Sequence, residues 1–146
     1  MSDQLVDIES VVGDHTGRAR TVLELTLEMK RIIDLAKEPG FDESGWEPLT
    51  RFIDVDAFER IGPFKDRMAW PEYVAYLTAW ATRRHWECSL RDVTEVGDTV
   101  FLELEERSAP GDHEGAANSL SRYDFGPDGR LRRLAVHLQM VMPGSG

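Results

Sequence analysis

The chain has one cysteine, Cys88, among 146 residues. That excludes an internal disulfide and any cysteine-based zinc site, and it fits a reducing compartment. No apolar run approaches the roughly 20 residues that a membrane span needs, so no membrane partner is expected. Positive charge is scarce, with 17 Lys and Arg against 27 Asp and Glu and a formal net charge of −10. Such a surface repels phosphate backbones, so no nucleic-acid partner is expected either. The start, Met1-Ser2-Asp3-Gln4, lacks the basic flank and apolar stretch of a signal peptide. There is no Walker sequence, no Gly-x-Gly-x-x-Gly and no Gly-x-Ser-x-Gly elbow. The histidines, His15, His85, His113 and His137, form no His-x-x-x-His pair. Asp112-His113-Glu114 reads as a solvated loop between Gly and Pro rather than a ligand set. No metal and no cofactor is therefore expected.

What is present is a chain 41% apolar, enough for a core and too much for wholesale disorder. It reads as one acidic, cytoplasmic domain. Residues 1–14 read as an N-terminal extension, 15–142 as the domain and 143–146 as a flexible tail. Val22, Leu25, Met29, Ile32, Ile33 and Ala36 recur at helical spacing, and Pro39-Gly40 ends that helix. Ser44-Gly45-Trp46-Glu47 has the capping-box form, and Trp46, Leu49, Phe52 and Ile53 follow on one face of a short second helix. Residues 55–61 read as a strand stopped by Gly62-Pro63. Trp70-Pro71 opens a third helix, with proline where its missing amide does no harm.

From Trp86 the period changes to two. Gly97-Asp98 and Gly126-Pro127-Asp128-Gly129 mark turns between alternating runs. Helices followed by four hairpin-joined strands predict an α+β fold with an antiparallel sheet.

Strand parity singles out one acid. Val100, Leu102 and Leu104 define the inward face of their strand, and continuing the period places Glu106 there and Glu103 and Glu105 opposite. Carboxylates against apolar walls suit general acid or base work. The alternative is a solvated or arginine-paired strand end. Arg60 shares a face with Phe58, and its fork of donors suits a carboxylate or developing oxyanion. The alternative there is a structural ion pair. Phe58, Tyr73, Leu77, Trp80, Trp86, Leu102, Leu104 and Val136 are the expected pocket residues, against the alternative that such side chains are plain core. Trp46, Trp70 and Phe101 are further aromatic candidates. His137 has the parity of the outer face.

Three strings, Glu59-Arg60-Ile61-Gly62-Pro63-Phe64, Val96-Gly97-Asp98-Thr99-Val100-Phe101 with Glu103 and Glu106 after it, and Tyr123 to Leu131, together with the order of elements, resemble the SnoaL-like group of the nuclear transport factor 2-like (NTF2-like) superfamily. The resemblance covers roughly residues 16–141. It implies a cone: a curved antiparallel (mixed) sheet wrapped on three N-terminal helices, dimeric through the sheet. It also implies a hydrophobic small molecule in the cone mouth and cofactor-free cyclase, isomerase or dehydratase chemistry. The alternative it carries is a non-catalytic ligand-binding or dimeric accessory protein. In members resembling limonene epoxide hydrolase, an Asp-Arg-Asp set would fall at Glu106, Leu104 and near Val136, so only one carboxylate is kept. The general base of ketosteroid isomerases would fall near Arg60, which cannot serve as one. What remains is Glu106 and Arg60 as the catalytic candidates in an apolar cone.

Overall fold

The computed structural model describes residues 5–108 and 115–140. The elements in order are α1 (Ile8–Val11), a 3-10 turn (Val12–Asp14), α2 (Gly17–Leu35), a 3-10 segment (Glu43–Arg51), β1 (Glu59–Ile61), β2 (Arg67–Ala69), α3 (Trp70–Ala81), β3 (Glu87–Val96), β4 (Thr99–Arg107), β5 (Ala117–Phe125) and β6 (Leu131–Gln139). The strands form one six-stranded sheet in the order β2-β1-β6-β5-β4-β3. All neighbours pair antiparallel except β1 and β6, which run parallel. The fold is therefore α+β with a mixed sheet. Register shifts at Leu90/Asp92 and Asp124/Phe125 mark β-bulges, which bend a strand and help curve the sheet around the helices.

The apolar stripe of α2 packs as its spacing predicts: Val22, Leu25, Ile32, Ile33 and Ala36 are buried and Met29 is partly so. The helix starts at Gly17, which has φ +64, a left-handed value that glycine adopts without a Cβ penalty. No side chain of its own N-cap residue, Thr16, bonds the free amides. Glu95 of β3 does so instead, its Oε1 accepting from Ala19 N at 2.9 Å. The expected N-terminal extension is tied to the sheet at Val6. Val6 exchanges backbone hydrogen bonds with Leu90 at 3.0 and 2.8 Å, and Ile8 is buried.

Three local expectations are corrected. The second helix is a 3-10 segment, because Pro48 lies within it and cannot donate the amide that an α-helical turn needs. Its N-terminus is capped by Asp42, whose side chain accepts from Ser44 N at 3.0 Å, and not by a Ser44–Glu47 box. The strand expected over 55–61 is only Glu59–Ile61, since Asp54 turns the chain by accepting from Ala57 N through both its carbonyl and its side chain. Gly62-Pro63 does stop the strand, whose pairing ends at Ile61. It opens a turn that leads into β2, with Gly62 N bonded to Asp66 O at 2.8 Å.

The face of the 3-10 segment is as expected, with Trp46, Leu49, Phe52 and Ile53 all buried. Trp46 is fully enclosed, and its Nε1 donates to Thr78 Oγ1 of α3 at 2.9 Å. Among the described residues, no helix is long and apolar enough to cross a membrane.

Candidate active site

The curved sheet, α2 and α3 line a half-open cavity of about 270 Å3. Four side chains of α2 reach it, Leu25, Thr26, Met29 and Ile33, and four of α3, Tyr73, Tyr76, Leu77 and Trp80. Phe58 and Arg60 come from β1 and its approach, Leu104 and Glu106 from β4, Ser121 and Tyr123 from β5, and Leu134, Val136 and Leu138 from β6. Trp86 enters just before β3.

Of the ten residues expected at the site, nine line this cavity. The exception is Leu102, which lies fully buried in the core and not on the cavity wall. Parity places Leu102 on the same face as Leu104, but it does not tell where along the strand the cavity ends. Trp46 is likewise core, and Phe101 lies on the opposite face with Arg122 over its ring at 5.8 Å. His137 is exposed, as its parity predicts, and Asp112-His113-Glu114 lies outside the described residues.

Glu106 continues the inward face of Leu104 to the cavity wall. The indole Nε1 of Trp86 donates to its Oε1 at 2.7 Å. Its other oxygen accepts no hydrogen bond among the described residues. Beside it, across the β3–β4 pairing, stands Cys88. Burial, with the Glu106 charge adding to it, pushes that thiol up to about 12. At neutral pH it is a protonated thiol and no nucleophile.

Arg60 is nine-tenths buried. Its guanidinium lies 5.5 and 5.3 Å from the ring centres of Tyr73 and Tyr76, within cation–π range. Its Nη1 stands 3.5 Å from Asp66 Oδ2, the limit of a hydrogen bond, and its Nε is buried with no acceptor. Asp66 is aimed by its turn. Its Oδ1 also accepts from Phe64 N at 3.3 Å, and its carboxylate lies where a Cβ on Gly62 would stand, 2.4 Å from Oδ1. Arg60 and Glu106 share the cavity without forming an ion pair among the described residues.

Three phenols, Tyr73, Tyr76 and Tyr123, join Thr26 and Ser121 in the polar lining. Burial raises the Tyr73 hydroxyl to about 12, against a smaller opposing pull from Arg60. Burial also raises Tyr123, and the charge of Glu106 and the neighbouring Tyr73 add to it. Both stay neutral donors at neutral pH. Tyr123 and Tyr76 were legible signals that the candidate residues omit. Tyr123 has the parity of Ser121 on β5, and Tyr76 stands three residues after Tyr73 on α3. Among the described residues, no group of three or more His, Cys, Asp or Glu gathers as a metal site.

The architecture is shared with many solved structures. An NTF2-like protein of unknown function from Pseudomonas aeruginosa superimposes with a TM-score of 0.60 at 12% identity, over 82% of this chain and 96% of that one. A protein of the SnoaL-like family from Agrobacterium tumefaciens gives 0.56 at 13% identity, over 80% and 98%. A steroid delta-isomerase from Pseudomonas aeruginosa gives 0.54 at 20% identity, over 84% and 80%. The fold is thus the NTF2-like cone that NTF2-like and SnoaL-like proteins share. No protein-family model matches the sequence, and no curated protein matches it significantly.

Proposed function

We propose that the protein carries out acid/base chemistry of the cyclase, isomerase or dehydratase type on a hydrophobic, oxygenated small molecule bound in the cavity. The observation that carries this reading is Glu106, an acid on an apolar wall, oriented by Trp86 through one oxygen and with no hydrogen bond at the other among the described residues. With a carbonyl substrate, that second oxygen takes a proton from the adjacent carbon. The C–H electron pair becomes the new C=C bond, and the carbonyl π pair moves onto oxygen as an enolate. Arg60 and the neutral hydroxyls of Tyr73 and Tyr123 are the donors available to steady that charge in a dry site. Glu106 then returns the proton, to another carbon in an isomerisation or to a departing hydroxyl in a dehydration. The steroid delta-isomerase among the solved structures of this fold supports the class.

The test is deuterium exchange into cyclic ketones in heavy water, followed by NMR. Glu106→Gln keeps the shape and removes the base, so exchange should fall by about a hundredfold or more with the melting temperature nearly unchanged. Undiminished exchange in that variant would overturn the role of Glu106.

A second reading, a non-catalytic ligand-binding protein, is favoured by Leu104 and Val136. These apolar side chains stand on the wall where epoxide-opening relatives would carry an arginine and an aspartate. It predicts saturable ligand binding with neither exchange nor product. Either reading is compatible with a homodimer joined through the sheet, whose outer face carries Phe101 and the exposed Leu120. A monomeric mass by light scattering would overturn that association.

A further inference from the structure

We infer that the substrate is a small organic acid, with an apolar body of about one ring, whose carboxylate docks on Arg60. This rests on the reading of the cavity as a small-molecule site, and it adds the charge of the molecule that enters. A guanidinium carries five N–H donors and no acceptor. Among the described residues Arg60 meets one carboxylate, that of Asp66 at 3.5 Å, and the Tyr73 hydroxyl, and its Nε is buried without a partner. A donor group so far removed from water is normally satisfied, and leaving it unsatisfied is unfavourable.

Asp66 does not neutralise this cation. Its side chain is 41% exposed, so water screens it, and its carboxylate is shared with the Phe64 amide. Glu106 does not neutralise it either, since it is turned to Trp86 and forms no ion pair with Arg60 among the described residues. The cavity therefore contains a buried cation with open donors and walls that are otherwise mostly apolar. A carboxylate matches a guanidinium in charge and in its paired geometry, which a neutral carbonyl does not. Glu106 repels the same carboxylate. The acid end of the ligand is thus placed at Arg60, and the reacting end faces Glu106.

The volume limits the rest of the ligand. About 270 Å3 lies at the small end of ligand sites. Phe58, Tyr73 and Trp80 give the wall aromatic side chains against which an apolar body can pack. On the surface, Arg83, Arg84 and His85 are all exposed on the turn between the cavity residues Trp80 and Trp86. In a chain of net charge −10, a local positive turn favours the approach of an anion from that side.

The experiment is calorimetric titration with benzoate and its neutral isostere benzamide at neutral pH. Benzoate should bind the wild-type protein at least about tenfold more tightly. In Arg60→Gln that preference should fall to about one, and Arg60→Lys should restore part of it. Glu106→Gln should bind benzoate as well or better, because a repelling charge is gone. Equal binding of the two probes by the wild-type protein would overturn the inference, as would binding of neither at millimolar concentration. The wild-type comparison decides even if an Arg60 variant fails to fold. A carboxylate preference in a protein that exchanges no ketone protons would sink the catalytic reading and keep this one. Proton exchange without any carboxylate preference would do the reverse.

Discussion

Trp86 donates its indole N–H to Glu106 at 2.7 Å, so the acid on the cavity wall is held by a residue that precedes the neighbouring strand. A hydrogen bond to a charged group contributes about 1.5–3 kcal/mol. Trp86→Phe keeps an aromatic wall, though a smaller one, and removes the donor. Turnover in the exchange assay should drop about ten- to a hundredfold through kcat, with KM little changed. An unaltered kcat would show that Glu106 needs no such orientation.

Gly62 and Asp66 make the next test. A Cβ at Gly62 would stand 2.4 Å from Asp66 Oδ1, so Gly62→Ala forces the carboxylate away from Arg60. Asp66→Asn removes the charge and leaves the backbone free to keep its turn. Because Asp66 is partly exposed, its ion pair is worth little to stability, and Asp66→Asn should melt within a few degrees of wild type. Both variants should nevertheless alter ligand affinity at Arg60. If calorimetry shows affinity unchanged in both, Asp66 has no positioning role.

Alkaline pH should destabilise the protein through Tyr73 and Cys88. Burial raises Tyr73 from 10.0 to about 12 and Cys88 from 9.0 to about 12. The unfolded chain therefore releases these protons at lower pH than the folded one. Their contribution to stability is fully present below pH 9.0 for the thiol and below pH 10.0 for the phenol. It is lost as pH rises toward about 12. Melting temperatures measured across that window should fall less steeply in Tyr73→Phe and in Cys88→Ser than in wild type. Parallel curves would mean that neither group is shielded.

Glu95 and Gly17 test the start of α2. Glu95 accepts from Ala19 N at 2.9 Å, and a Cβ on Gly17 would lie 3.0 Å from the same carboxylate. Glu95→Ala should cost about 1 kcal/mol, as the loss of a helix cap does, and lower the melting temperature by a few degrees. Gly17→Ala adds left-handed strain to the crowding and should be worse. The double variant should show less than the sum, because both changes act on one contact.

The helices and the four long strands are legible because each has a clean period and a turn signal at its ends. The same periodicity places Glu106, Leu104, Phe58 and Arg60 on the cavity side. What parity cannot supply is depth along a strand, and so Leu102 is core where Leu104 is wall. Nor does periodicity mark a three-residue strand, and with β2 unseen, Asp66 has no visible link to Arg60. Glu95 is hidden for a related reason. Its partner Ala19 lies 76 positions away, and a cap supplied across the fold leaves no local motif. Pro48 was the readable warning that the second helix would not be α-helical.

The parallel pairing of β1 with β6 sets Arg60 beside Leu134, so the site is complete only once the last strand has docked. The pairing joins positions more than half the chain apart, and contacts so distant in sequence form slowly. On the ribosome, Glu106 is synthesised well before β6, and β1 has no parallel neighbour until β6 has emerged. A nascent chain that stops before Leu131 holds the acid and the cation without the strand that joins β1 to the rest of the sheet. Ligand binding thus reports completion of the last strand, and a ligand bridging the two ends would act as a clasp on the finished sheet.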